Sequence, residues 1–357
     1  MTDTLEHDDL ANESVRLSES ERSGNPRSLG AAWAGVLLAP GTIITGMVAA
    51  GGSAGPGFAL GFGGLATGII IGTICVALIS VWGPRTGLAA MPIGRLAFGA
   101  ANFLPQIFLL FSMVAYDSLN NLFGVNALAD ALTIPFGVAL ACIVAVEVVV
   151  VVFGVRLMRV LGLVLSSIML VVSIWLIIGA RDVSPDPMPV GTNVMPAMLL
   201  AVALGLSMSV SWAVQACDLS RTLPARTSPR GVVVWVFIGM TVPLLVLTGI
   251  GAWVSTDAAL SDPMGRIASL LGGGLPAVIA LIALGTSLAV GNAFNDFSGG
   301  RDCPRLVNHL LSARLSGFSS HKIRGGGGTG WDHHARDGVY YWGEAEEPAT
   351  HGARLST

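Results

Sequence analysis

Two carboxamides and a carboxylate, Asn292, Asn295 and Asp296, close the last long apolar stretch of the chain. Such groups are costly in hydrocarbon and persist there when they face a cavity, a partner or a pathway. An earlier apolar stretch carries Tyr116-Asp117-Ser118-Leu119-Asn120, which sets Tyr116 and Asn120 on one helical face. A carboxamide offers an acceptor and donors, and an aromatic face stacks on a flat base with roughly 1–3 kcal/mol. Asp117, Glu147 and Asp296 are acids in apolar surroundings that could carry a proton. Plainer readings stand beside these: Tyr116 as an interfacial ring over a packing asparagine, and Glu147 as a packing residue.

The elements that must position these residues are membrane helices. Hydrophobic residues make up 53% of the 357 positions and charged residues 11%, with a mean hydropathy of +0.72. Soluble domains carry about 25% charged residues, so lipid is the expected solvent. A span needs about 20 apolar residues. Stretches at 29–50, 57–82, 100–124, 133–154, 158–180, 194–216, 231–254 and 273–297 qualify. Arg85, Arg95, Arg156, Arg159, Arg221, Arg226 and Arg230 fall in the 2–3, 4–5 and 6–7 loops. Only Arg181 and Arg266 fall on the opposite side, among Asp130, Asp182, Asp186, Asp257 and Asp262. The positive-inside rule then puts the N-terminus in the cytoplasm, in a cytoplasmic (inner or plasma) membrane. Residues 1–28 are polar and acidic without an apolar core, and are expected to be a disordered cytoplasmic tail rather than a signal peptide. Cys75, Cys142, Cys217 and Cys303 have no metal or redox spacing, so no metal site or cofactor is expected.

Two spans carry helix-loosening residues. Span 1 has Ala39-Pro40-Gly41 near its middle, and span 6 has Gly205, Ser207, Ser209, Ser211 and Trp212 before Cys217-Asp218. Proline removes a backbone donor. Breaks at matching positions of two halves point to a mid-membrane site of a secondary transporter, and spans 1 and 6 lie five apart. Glycine and proline also serve kinks and close packing in any membrane helix.

Several motifs join these features. They are Trp33 with Ala39-Pro40-Gly41, the Gly51–Gly57 stretch, Gly83-Pro84-Arg85-Thr86-Gly87-Leu88, and Arg95 through Phe98-Gly99. Asp218-Leu219-Ser220-Arg221 and Asn292 through Ser298 complete the set. In order and spacing, over roughly residues 30–299, the chain resembles the nucleobase:cation symporter-1 family of cytosine, purine, allantoin and hydantoin permeases. The resemblance implies an all-α membrane protein with the inverted-repeat fold of the amino-acid/sodium symporters, with discontinuous helices 1 and 6. About 8 of that family's 12 spans are written here. It further implies import of a nucleobase or related heterocycle coupled to H+ or Na+, across a lipid bilayer and without nucleic acid as partner.

By the same resemblance, Tyr116, Asn120, Trp212, Asn292 and Asn295 form the substrate site, with tyrosine at 116 where tryptophan is more usual. Ala39, Gly41, Thr42, Asp117, Glu147, Asp218, Arg221 and Asp296 are its coupling and gating candidates. Asp218 and Arg221 fit an ion pair at the inner gate or solvated loop charges. In sodium-coupled relatives span 8 hydroxyls just before the first asparagine bind the ion. Here those positions are Val290-Gly291, and Thr286 and Ser287 lie a turn earlier. Hard cations want oxygen ligands, so proton coupling is the preferred expectation.

Residues 300–357 change vocabulary, with five of the six histidines, the only lysine (Lys322) and the Gly325–Gly328 run. They read as a polar tail, natural or frameshift-derived. A permease domain over 29–299 with an incomplete second repeat is expected to transport poorly on its own. An embedded enzyme would need a catalytic constellation, yet residues 30–300 hold no histidine. A non-transporting membrane partner is the other alternative.

Overall fold

The computed structural model describes residues 16–52, 55–185, 194–293 and 295. The tail from 300 onward and Asp296 lie outside them, as do residues 1–15. Every long element described is a helix. Seven are long and apolar enough to cross a membrane, and a bent pair in span 1 makes an eighth.

Span 1 is Pro26–Leu37 followed by Pro40–Ala50, turned by 66° at the break. The cause is local. Proline disfavours helical backbone at the residue before it, and Ala39 is extended (φ −118°, ψ 142°). Pro40 then opens the second half, where its missing N–H costs nothing. Span 2 is Gly57–Ile79, continued by Trp82–Thr86. Span 3, Phe103–Leu132, runs eight residues past the expected end at 124, until Thr133 adopts a left-handed conformation ahead of Pro135. Spans 4 and 5 fall within one continuous helical stretch, Phe136–Gly179. At about 1.5 Å per residue it would reach about 66 Å, twice a bilayer core. Its apolar windows are Phe136–Phe153 and Val160–Gly179. The loop expected between them keeps helical backbone, since no proline interrupts it. Spans 7 and 8 are Pro229–Trp253 and Gly274–Ala293.

Span 6 is discontinuous as expected, at the Ser211-Trp212 end of its glycine- and serine-rich stretch. The helix Met195–Val210 passes undisturbed through Gly205, and the departure comes later, as a 3-10 turn at Ser211–Gln215 before Ala216–Ser220. Gly205 serves close approach instead. A Cβ there would overlap the Leu65 carbonyl of span 2, and a Cβ at Gly68 would overlap Val202 O of span 6. Gly64, Gly68 and Gly72 thus meet Ala201, Gly205 and Ser209, small residues four apart on both helices. Lipid tails are as apolar as leucine, so membrane helices gain by such packing rather than by hydrophobic exclusion. Span 7 lies along both halves of span 1 in the same way, with Gly251 against Ile43 O and Gly239 against Gly30.

Within the tail expected over 1–28, the described part from Arg16 onward makes specific contacts with the loops. Arg22 is buried, donating from Nη1 to Pro84 O at 3.0 Å and from Nε to Leu17 O at 2.9 Å. Ser23 N donates to Thr222 O at 2.8 Å, and Glu19 accepts from Ala225 N at 3.0 Å. The segment therefore straps the 2–3 loop to the 6–7 loop. A guanidinium has five donors to place on carbonyls, which is what composition could not reveal.

The glycine seam yields a test. Gly205→Val is expected to destabilise the protein by about 1–3 kcal/mol or more, as overpacking does. Gly63→Ala, with nothing within 4 Å of its added Cβ, is expected to be neutral. Thermal unfolding of both purified variants checks this, and equal melting temperatures would contradict it.

Candidate functional site

Span 8 packs on span 3 at a backbone contact, with Gly124 O 3.0 Å from a Cβ built on Gly285. That approach lets polar side chains one to two turns away meet. Asn120 Nδ2 donates to Asn292 Oδ1 at 3.0 Å. Asn292 Nδ2 donates to Glu147 Oε1 at 2.8 Å and to the Asp117 carbonyl at 3.2 Å. Asn295 Nδ2 donates to Asp117 Oδ1 at 2.7 Å. Spans 3, 4 and 8 are thereby tied by one network of amides and carboxyls. Asn292 is 1% exposed and Glu147 7%, so Glu147 is a network member and not merely a packing residue.

Around it the surfaces are apolar. Val125, Ala139, Ile143 and Ala289 pack on one side of the network. Val150, Met158, Leu165, Val290 and Ala293 pack on the other. Hydrogen bonds in such apolar surroundings must be met by protein groups.

Asn120 faces the span 1 break as well. A methyl in place of the Gly41 hydrogen would stand 3.9 Å from Asn120 Oδ1, and one at Gly291 3.8 Å from its Nδ2. Thr42 is buried one residue further on. At the break, Ala39 O accepts from Thr42 N and Gly41 O from Thr45 Oγ1 at 2.9 Å. Ser166 of span 5 donates to Gly35 O at 2.8 Å, satisfying a carbonyl that the interrupted helix leaves over. Thr286 donates to Ile282 O within its own helix.

The aromatic candidates separate. Tyr116 is 40% exposed. Trp212 sits in the 3-10 turn of span 6, which packs against span 3. Among the described ring contacts its partner is Trp33, edge-on at 5.7 Å between centroids. Asp218 is exposed at the end of span 6, and its Oδ1 accepts from Ala90 N at 2.9 Å, fastening the helix Ala90–Phe98. Arg221 is half-buried beside it. Asp296 lies outside the described residues.

Sequence reasoning therefore assembled Asn120, Asn292, Asn295, Asp117 and Glu147 as candidates, and the fold joins them. It passed over Ser166 and the Gly124–Gly285 contact. A serine pair in an apolar run (Ser166-Ser167) was the available signal for the first; no local signal marked the second.

A family model described as "Permease for cytosine/purines, uracil, thiamine, allantoin" matches residues 17–315. A protein of Bacillus subtilis (strain 168) named as a purine-cytosine permease, YxlA, is 23% identical over 244 residues, 68% of this chain and 53% of the relative. The chain thus spans about half the length of that relative. Among solved structures, the nucleobase-cation-symport-1 family transporter Mhp1 is similar in two states. The closed conformation with bromovinylhydantoin bound has a TM-score of 0.62 at 15% identity, covering 87% of this chain and 75% of that one. The inward-facing conformation gives 0.65 at 15% identity, covering 87% and 73%. At this identity the likeness is one of fold.

Removing the central amide tests the network. Asn292→Ala removes the hydrogen bonds to Glu147 Oε1 and from the Asn120 amide, and is expected to cost about 1–3 kcal/mol of stability. Tyr116→Ala, on an exposed ring, is expected to cost about 0.5 kcal/mol or less. Chemical or thermal unfolding compares them; equal losses would dismiss the network.

Proposed function

The chain belongs to the family of permeases for cytosine/purines, uracil, thiamine and allantoin, and we propose that it binds a nucleobase-like heterocycle and imports it together with a cation. It is a multi-pass membrane protein of a transporter family, not of an enzyme family. The observation that carries the reading is the juxtaposition of Asn120 with the span 1 break and with Asn292. A broken helix and a carboxamide at mid-membrane depth combine irregular backbone with a group able to read a ring edge.

In this reading Asn120 is the principal edge-reading group, and Asn292 and Asn295 hold the wall behind it. Trp212, braced by Trp33, supplies an apolar face for the ring, and exposed Tyr116 an outer one. Asp218 and Arg221 belong to the inner gate, at the end of span 6 tied to the helix Ala90–Phe98. The arginines of the 2–3 and 6–7 loops and of the junction between spans 4 and 5 support a reading with the N-terminus on the cytoplasmic side of a cytoplasmic membrane. Two relatives' printed names, a purine-cytosine permease and a transporter with a bound hydantoin, agree with a flat heterocyclic cargo.

The test is uptake of radiolabelled cytosine, uracil, hypoxanthine, allantoin and thiamine by cells that lack their own permeases and express this chain. Binding to the purified protein serves as the second readout. At least one compound is expected to bind, and Asn120→Ala is expected to weaken it about fivefold to tenfold, the loss of one amide contact. Absence of binding and uptake for all five would reject the proposal. Unchanged affinity in Asn120→Ala would reject the assignment of that residue.

A further inference from the structure

Glu147 is the only carboxylate among the described residues that is fully buried. It lies in the valine-rich run Val144–Val149 of span 4, where nothing about a hydrophobic helix requires an acid. Its Oε1 accepts from Asn292, Asn292 accepts from Asn120, and Asn120 Oδ1 stands beside Gly41 at the span 1 break. Two amides in series thus connect a buried acid to the group assigned to the substrate edge.

We infer that Glu147 carries the coupled proton and that Asn292 transmits its charge state to Asn120, exchanging the group that Asn120 offers to the heterocycle. The inference rests on the transport reading above and names its coupling ion.

The donor inventory sets the logic. An ionised carboxyl only accepts, so Asn292 must aim its NH2 at Glu147. Its oxygen then faces Asn120, whose NH2 is consumed, and Asn120 presents its carbonyl oxygen toward the break. This is the arrangement the structure holds. A protonated carboxyl has an O–H to donate. Once the Asn292 amide turns over to accept it, the Asn292 NH2 faces Asn120. Asn120 turns in response and presents NH2 toward the break. Each charge state of Glu147 therefore favours a different ring edge, a donor edge when ionised and an acceptor edge when protonated.

The balance needs no further reactant. A proton from water on one side forms the O–H bond at Glu147, and its return to water on the other side breaks that bond and restores the carboxylate. Among the described residues, polar and apolar groups are set around the Glu147 network from each neighbouring span. Span 3 presents Asp117, whose carbonyl shares the Asn292 donor and whose carboxylate is held by Asn295. Span 8 presents the two amides, and span 5 presents Met158 and Leu165.

The experiment uses the full chain purified in lipid nanodiscs. Cytosine, uracil, hypoxanthine, allantoin and thiamine are titrated at acidic and at neutral pH, and proton uptake or release is followed in weak buffer. The wild-type affinity is expected to change by about fivefold or more between the two pH values, with a measurable proton exchange. Glu147→Gln is expected to bind with one affinity at both and to exchange no proton. Infrared difference spectra of the ligand-free protein on acidification supply an independent readout. The carbonyl band of a protonated carboxylic acid is expected in wild type, shifted in Glu147→Asp and lost in Glu147→Gln. If Glu147→Gln does not fold, the shift in Glu147→Asp decides. A wild-type chain that binds none of the compounds overturns the transport reading and this inference with it. Binding with no pH dependence, pH dependence that survives Glu147→Gln, or a carboxylic band unmoved in Glu147→Asp overturns this inference alone.

Discussion

In a hydrocarbon surround a buried primary amide has to place its donors and its acceptor on protein, and Asn292 does so across three helices. Its NH2 reaches Glu147 on span 4 and the Asp117 carbonyl on span 3, while its oxygen takes the Asn120 amide. The reach of one asparagine is short, so these bonds need spans 3, 4 and 8 close together. The Gly124–Gly285 contact sets the approach that the amide needs. The relative positions of Asp117, Asn120, Glu147 and Asn295 follow from that single side chain.

The remaining spans cohere by different physics. Spans 1, 2, 6 and 7 meet at glycines whose missing Cβ atoms let backbones touch, and the Thr73–Thr241 hydroxyl pair at 2.9 Å adds a polar contact between side chains. Backbone approach of this kind is close to all-or-none, since one methyl would fill it. Polar ties of the span 3–4–8 kind can exchange partners without moving helices. The candidate site lies on the seam, where Asn120 of the polar group comes within reach of Gly41 in the glycine-packed group.

Legibility in the sequence follows the range of the physics involved. The spans were readable because twenty apolar residues in a row is a one-dimensional property, and the break in span 1 because Pro40 acts on its own neighbour. In span 6 the loosened stretch was readable but the part each residue plays in it was not, because glycine and serine allow either a loosened helix or a close contact. Only Leu65 across the interface decides that Gly205 is the latter. The polar residues were recognisable as unusual, yet the aromatic pair of Trp212 was not: Trp33 lies 179 positions earlier and meets it edge-on. Arg22 looked like one charge in an acidic tail, and its burial depends on carbonyls from a loop sixty-two residues away.

The sequence by itself determined that this is a membrane protein of broken and unbroken helices, and which few polar side chains those helices would have to accommodate. It did so because lipid forbids charge and exposed backbone everywhere except at sites of use. Only the tertiary structure decided how those side chains combine: that Glu147 answers to Asn292, that Asn120 stands between span 8 and the span 1 break, and that Gly205 packs rather than bends. Hydrogen bonds have directions and partners, and those are fixed by which helices touch, a relation that no single stretch of sequence contains.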